Sequence, residues 1–403
     1  MSYQVLLLEN IHSNVKESFE KYGFSVKSIS TSLSEEELSK CFQGHEVSIL
    51  GIRSKTQINR RILESCPSLL VIGCFCIGTD TIDLEAAKEY GICVFNAPFS
   101  SGRSVAELCI GEIICLSRRL PDKIIEMHNG TWNKSATLCH EIRGKTLGIV
   151  GYGNIGCQIS VLAENLGMNV LYYDILSKVS LGNAKSCPDL KTLLQLSDFV
   201  TLHVPDTPLT HNLIDSEHFS YMKPESILIN ASRGKVVDID ALREALILGH
   251  LSGCAIDVHP SEPASNTKSW TSPLQGLSNC ILTPHIGGST EEAQENIGID
   301  VSSKIIKYLI EGTTLMSVNF PQVQLFRTNP SFRICHIHKN VPGVLKKLNG
   351  ILDSINIIAQ SLSTLDDIGV CILDCDQKLT LEQEKTIREM DETIKFIKLP
   401  FNE

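Results

Sequence analysis

No apolar run in this sequence is long enough to cross a bilayer. The best one, residues 108–116, is interrupted by Glu112 and stopped by Arg118 and Arg119, whereas a spanning helix needs roughly 20 apolar residues. A basic excess is also missing. Lys and Arg number 36 against 46 Asp and Glu, for a formal net charge of −10, so neither a nucleic-acid surface nor a polybasic membrane anchor has global support. The first nine residues lack the basic region and cleavage site of a signal peptide, and the cytoplasm is the expected location. The 15 cysteines include no CxxC pair and no Cys/His cluster at zinc spacing, which leaves no metal site to expect. Thiols in apolar runs, such as Cys109, Cys115 and Cys254, are expected to be reduced and buried. Cys74 and Cys76, two apart beside a predicted loop, are read as structural. There is no internal repeat and no low-complexity segment.

What is present is an α/β pattern. At 403 residues the chain calls for two or three domains. In the first hundred residues, VLLLE (5–9), VSILGIR (47–53), LLVIGCF (69–75) and ICVFN (92–96) read as buried strands separated by amphipathic stretches, the pattern of a parallel sheet with helices on both faces. A helix is predicted over 104–117. A second series follows, with strands at 146–150, 169–173, 199–204, 226–230, 253–258 and 280–283 and a helix over 291–310. Pro321 and Pro330 bracket a polar linker. The last seventy residues read as βαββαβ, which is ferredoxin-like.

Gly151-Tyr152-Gly153-Asn154-Ile155-Gly156 stands between a predicted strand and a predicted helix, and Asp174 ends the next strand. That context points to a dinucleotide site. Gly151 permits the turn, Gly153 admits the pyrophosphate to the backbone, and Gly156 lets helix and strand pack. Asp174 suits ribose hydroxyls and repels a 2′-phosphate, so NAD is expected over NADP. A plain βα turn with a surface Asp is the alternative.

Arg233, Glu262 and His285 follow three later strands, at the carboxyl edge where open parallel sheets bind ligands. Oxidising a 2-hydroxy acid needs a base for the hydroxyl proton, a carboxylate beside that base, and a cation for the substrate carboxylate. His285, Glu262 and Arg233 suit these roles, although each alone reads equally well as a solvated or turn residue.

ASRG (231–234), DVHPSEP (257–263), TPHIGGST (283–290) and RGKTLGIVGYGNIG (143–156) resemble the signatures of the D-2-hydroxyacid dehydrogenases. GIRSKT (51–56), IGCFCIGTD (72–80), FNAPFS (95–100), RSVAE (103–107), TWNK (131–134) and EEAQENIG (291–298) are similar to the branch that acts on 3-phosphoglycerate. The resemblance implies NAD-dependent oxidation of that substrate, with another hydroxy acid such as 2-hydroxyglutarate, or an NAD-sensing corepressor role, as alternatives. It implies His285 as acid–base, Glu262 as its partner and Arg233 as substrate clamp. NAD would be held by Asn154, Ile155, Asp174, Ala231, Ser232, Arg233, Asp257, His285, Ile286, Gly287 and Gly288, with Asp257 on the carboxamide.

The resemblance also assigns residues 1–100 and 288–329 to a substrate domain and 101–287 to a Rossmann-type cofactor domain inserted in it. The substrate domain would be flavodoxin-like and would hold the phosphate with Arg53 and Ser54, and Lys134, in the cofactor domain of this or a neighbouring subunit, would add charge. Ser101 stands where the family usually has Asn. HIHKNVPGVL (336–345) resembles the ligand loop of an ACT domain. Residues 330–403 would then be a regulatory module binding L-serine through His338, Asn340 and Asn356, in a homotetramer. The turn before Asn356 is shorter than is usual in such domains.

Overall fold

The computed structural model describes residues 3–43, 46–263, 266–326 and 332–399. It forms two compact units, one of residues 1–100 with 294–403 and one of 101–293.

The first unit opens with β1 (Gln4–Leu7), α1 (Ser13–Glu20), β2 (Ser25–Ser28), α2 (Glu35–Phe42), β3 (Val47–Ile52), α3 (Arg60–Glu64), β4 (Val71–Cys74), α4 (Leu84–Glu89) and β5 (Cys93–Phe95). The sheet order is β2-β1-β3-β4-β5, all parallel. Successive strand residues serve opposite cores, because side chains alternate across a sheet. Val5, Ile49 and Val71 face one core and Leu6, Leu50 and Ile72 the other. The edge strand β2 was not legible in the sequence, since none of its four residues is buried.

The second unit contains α5 (Gly102–Ser117), α6 (Leu120–His128), β6 (Thr146–Val150), α7 (Asn154–Asn165), β7 (Asn169–Tyr173), β8 (Lys185–Ser186), α8 (Leu190–Leu196), β9 (Phe199–Leu202), α9 (Ser216–Tyr221), β10 (Ser226–Asn230), α10 (Ile239–Ile247), β11 (Leu251–Ile256) and β12 (Cys280–Leu282). Its seven strands run in the order β12-β11-β10-β9-β6-β7-β8, every pair parallel. The chain reverses direction across the sheet between β6 and β9, the topological switch point where such folds bind ligands. Helix α6 went unanticipated. It buries no residue, and Ile124, Ile125 and Met127 are each more than half exposed.

The first unit resumes within α11 (Glu291–Glu311), then adds β13 (Phe332–Lys339), α12 (Val344–Ile351), β14 (Ile357–Leu365), β15 (Ile368–Cys375), α13 (Leu381–Arg388) and β16 (Thr393–Leu399). The sheet β14-β15-β13-β16 is antiparallel, the ferredoxin-like arrangement expected from βαββαβ. Phe332, Ile334, Cys371 and Leu373 face α12 and α13. On the other face Cys335, Ile337, Val370 and Ile372 join one core with Ile305, Tyr308, Phe95 and Val5. The segment from Pro321 is less polar than expected of a linker, for Pro321 and Val323 are buried. Pro330 lies outside the described residues.

Arg333, on the face of β13 toward α11, is buried with Asp374 of β15. Nε and Nη2 donate to the two carboxylate oxygens at 2.6 and 2.7 Å. Nη1 donates to the carbonyls of Glu311 and Leu325, each at 3.1 Å. One guanidinium thus ties the end of α11, the following segment and two strands.

Candidate active site

The three glycines of the 151–156 turn differ in their surroundings, and the differences match distinct tasks. Gly151 has φ +92°, and a Cβ there would lie 2.3 Å from the His203 carbonyl oxygen, so only glycine fits. A Cβ on Gly156 would meet the Gly151 carbonyl oxygen at 2.3 Å, which is the close approach of α7 to β6. At Gly153 nothing lies within 4 Å, leaving the backbone approachable from outside. Gly153 is also the N-cap of α7 and supplies no side-chain cap, so the amides and positive dipole end of that helix suit an anion. Asn154 and Ile155 open the helix.

Asp174 follows β7. One carboxylate oxygen accepts from the Tyr152 amide at 2.8 Å and the other from the Leu176 amide at 2.9 Å. It therefore braces the glycine turn and keeps acceptor positions for ribose hydroxyls. Tyr152 is buried, stacks on Tyr172 at 3.9 Å between ring centroids, and bonds Ser160. Sequence reasoning left its role unread.

The loop after β10 is organised by Asn230. Its side-chain oxygen accepts from the amide and hydroxyl of Ser232, and its amide nitrogen donates to the Arg233 carbonyl at 3.0 Å. A Cβ on Gly234 would lie 2.0 Å from the His259 carbonyl carbon, so the 231–234 loop lies directly against the backbone that leads to Glu262. Arg233 Nη1 donates to the Ser232 carbonyl. Ala231 is half-buried and Ser232 buried.

His285 has φ +55°, a left-handed conformation that is uncommon outside glycine. Asp257 holds it there. The His285 amide donates to the Asp257 carbonyl at 2.8 Å, while the Ile286 and Gly287 amides and the Thr283 hydroxyl donate to its carboxylate at 2.8, 2.8 and 2.6 Å. Three of the four acceptor positions of the Asp257 carboxylate are thus engaged by the loop itself. Gly288 closes the loop beside Ser101.

His285 Nδ1 lies 2.8 Å from Glu262 Oε2, and Glu262 Oε1 accepts from the His259 amide at 3.0 Å. The Glu262 bond raises the His285 pKa above its ordinary value, against burial and the Arg233 charge. Burial alone would raise Glu262, but hydrogen bonds from His285 and the His259 amide outweigh it and hold the carboxyl below its usual range. This unit therefore brings together an imidazole, its counter-charge and a nearby guanidinium.

In the first unit the Arg53 loop is held by Glu9, which no local pattern marked. The Glu9 carboxylate accepts from the amides of Ser54, Lys55 and Thr56 at 3.0, 3.1 and 2.7 Å. Those amides are spent, so an anion at this loop meets the side chains of Arg53, Ser54 and Lys55. Lys134 lies on an exposed loop of the second unit beside Trp132, itself 81% exposed.

In the C-terminal sheet, His338 and Asn340 stand at one end and Asn356 at the other. The register pairs Phe332 with Cys375 and Cys375 with Ile357, whereas Lys339 and Leu365 both pair with Ile368. Seven strand residues separate the two levels, roughly 23 Å, so one chain does not unite the three. Among the described residues no helix is long and apolar enough to cross a membrane, and no group of His, Cys, Asp or Glu could hold a metal.

The model of the D-isomer specific 2-hydroxyacid dehydrogenase NAD binding domain matches residues 110–287. A D-3-phosphoglycerate dehydrogenase of Dictyostelium discoideum is 54% identical over 97% of this chain and 96% of its own. The chain belongs to the D-3-phosphoglycerate dehydrogenase family. Another relative of that name, from Haemophilus influenzae, is 48% identical over 97% of this chain and 95% of its own. Among solved structures, the D-lactate dehydrogenase of Aquifex aeolicus, complexed with NAD and lactic acid, has a TM-score of 0.65 at 29% identity, covering 75% of this chain and 95% of its own. As a member of this family the chain is an NAD-dependent oxidoreductase.

Proposed function

We propose that the chain oxidises 3-phospho-D-glycerate to 3-phosphohydroxypyruvate, the first step toward L-serine. The observation that carries the chemistry is the Glu262–His285 contact in a loop pinned by Asp257. The open backbone at Gly153, the uncapped start of α7 and the Asp174 carboxylate fit NAD. When bound, NAD accepts the substrate hydride. His285 Nε2 takes the hydroxyl proton, Glu262 stabilises the resulting imidazolium, and Arg233 grips the substrate carboxylate. Arg53 and Ser54, with Lys134, are assigned the phosphate. Residues 1–100 and 288–329 then act as the substrate domain and 101–287 as the cofactor domain. The test is NADH oxidation with phosphohydroxypyruvate beside 2-oxoglutarate. Turnover of 2-oxoglutarate alone would assign the Arg53 loop to a second carboxylate, and turnover of neither would overturn both substrate assignments.

Residues 330–403 are read as an ACT regulatory module binding L-serine. With Asn356 at the far end of the sheet from His338 and Asn340, such a site needs two chains paired about a two-fold axis. The exposed apolar residues of α6 favour a further contact between chains, and with it the tetramer. A cytoplasmic location fits this chemistry. Calorimetry with L-serine on wild type and Asn340→Ala tests the effector. Absence of binding by the wild type leaves the module an assembly element.

A further inference from the structure

Cys74 ends β4, and Cys76 lies within the bend where the strand stops. Residues two apart on a strand share a face at about 6.6 Å between Cα atoms, and here the bend brings their sulfurs to 3.4 Å. Both thiols are aimed at the same two carbonyls. Cys74 Sγ lies within donor reach of Arg53 at 3.4 Å and Gly78 at 3.0 Å, and Cys76 Sγ of the same pair at 3.4 and 3.1 Å. The two S–H protons are thus shared between the Arg53 and Gly78 carbonyls on one side, while Glu9 holds the amides of the next three residues on the other. The loop that presents Arg53 is suspended between a carboxylate and a dithiol.

We propose that Cys74 and Cys76 form a reversible dithiol/disulfide site for small disulfides of the glutathione class, and that closing the bond weakens binding of the phosphorylated substrate. The second clause rests on the assignment of Arg53 to the phosphate. Cys74 is fully buried and Cys76 half-buried, so Cys76 is the sulfur a reagent reaches first. Its thiolate attacks the small disulfide, forming a mixed disulfide and expelling one thiolate. Cys74 then attacks the Cys76 sulfur, forming the intrachain bond and expelling the second. The two protein protons end on the two released thiols, so the protein pair is oxidised by two electrons and the small disulfide is reduced by two. The neighbouring Cys76 thiol, and then burial, hold the Cys74 thiol well above its usual range. The first step removes that neighbouring thiol and eases the second. Closure also removes both S–H protons, so the Arg53 carbonyl loses its thiol donor and one side of the loop is left untied.

Cys254 and Cys280 provide an internal comparison. Their sulfurs are 3.3 Å apart, but they face each other in paired strands. Both belong to an apolar core, Cys254 fully buried and Cys280 packed against it.

The full-length enzyme is incubated with glutathione disulfide, peptide-mapped by mass spectrometry, and assayed with phosphohydroxypyruvate and NADH. The expected result is loss of two hydrogens from the peptide holding residues 74 and 76. KM for the phosphorylated substrate should rise about tenfold, equivalent to roughly 1.4 kcal/mol. KM for NADH should not change, and dithiothreitol should reverse both effects. Cys76→Ser, which keeps a donor for the same carbonyls, should keep the KM of the reduced enzyme and show neither response. A 74–76 peptide that stays reduced, oxidation confined to Cys254 and Cys280, or a disulfide without a KM change each overturns the proposal. Arg53→Ala in the same series separates the two readings. An unchanged KM there overturns the phosphate assignment, while the peptide masses still decide whether the disulfide site exists.

Discussion

Glu262 occupies Nδ1 of His285 at 2.8 Å, which leaves Nε2 as the nitrogen to which the proposed proton exchange with substrate is assigned. Substitution of His285 by Ala should lower kcat by roughly 10²–10⁴-fold, the scale of a lost general acid–base, with NADH affinity by fluorescence retained. The raised His285 pKa has a definite sign in each direction. Oxidation needs neutral imidazole and declines as pH falls below that raised value. Reduction needs imidazolium and declines as pH rises above it. In Glu262→Gln the counter-charge is gone, so both limbs should move to lower pH. Limbs that stay put would remove Glu262 from the pair.

Glu9 should act on substrate affinity without touching substrate. Its carboxylate receives three amides of the Arg53 loop. In Glu9→Gln one of the two acceptor atoms becomes a donor that faces donors. KM for phosphohydroxypyruvate should rise about tenfold, corresponding to one weakened charge-assisted contact, and KM for NADH should not move. Arg53→Ala should raise the same KM further. If Glu9→Gln matches wild type, the loop needs no such anchor.

Glu112 lies buried on α5 with neither carboxylate oxygen hydrogen-bonded. Burial, with the Asp257 charge adding, pushes its pKa up to about 8. A carboxyl raised in the folded state holds a proton that the unfolded chain has already lost. Stability therefore falls as pH rises from the unfolded value near 4.3 toward about 8. The penalty at pH 7 is on the order of 3 kcal/mol. Glu112→Gln should flatten the fall of Tm between pH 5 and pH 8. A variant with the wild-type slope would show that this carboxyl titrates normally.

The Arg333–Asp374 pair should tolerate joint replacement better than single loss. Arg333→Met strands a buried carboxylate and should cost roughly 3–5 kcal/mol, seen as a fall in Tm of about 10 °C. Adding Asp374→Leu should recover much of it. Equal melting of the single and double variants would mean that the carbonyl contacts of Arg333, not its ion pair, hold the segment.

Legibility in the sequence followed the range of the interactions. The glycine turn, Asp174 and the long apolar strands were readable because strand, turn and helix signals lie within a few residues of one another. Arg233, Glu262 and His285 were singled out by the rule that ligands gather at the carboxyl ends of strands together with the resemblance of their motifs, and the structure sets Glu262 against His285. Glu9 and the Arg333–Asp374 pair carry no such local pattern. Glu9 acts on a loop 45 positions later, and Arg333 meets an acid 41 positions away. Acids, amides and cations at strand ends are common, and only folding shows which carbonyl or amide each one meets. Strand β2 and helix α6 were unread for another reason, since neither has a buried side chain and apolar periodicity had nothing to report.

The core that Cys335, Ile337, Val370 and Ile372 share with Ile305, Tyr308 and Phe95 bears on how such a chain can be cut and recombined. A gene shortened before Phe332 would strip the cover from an apolar helix face and from the sheet behind it, yielding a sticky remnant in place of a deregulated enzyme. The tail, expressed alone, would carry the matching bare face. Neither half is a ready-made cassette, and any lineage that trades this tail for another must refit the surface of α11 at the same time.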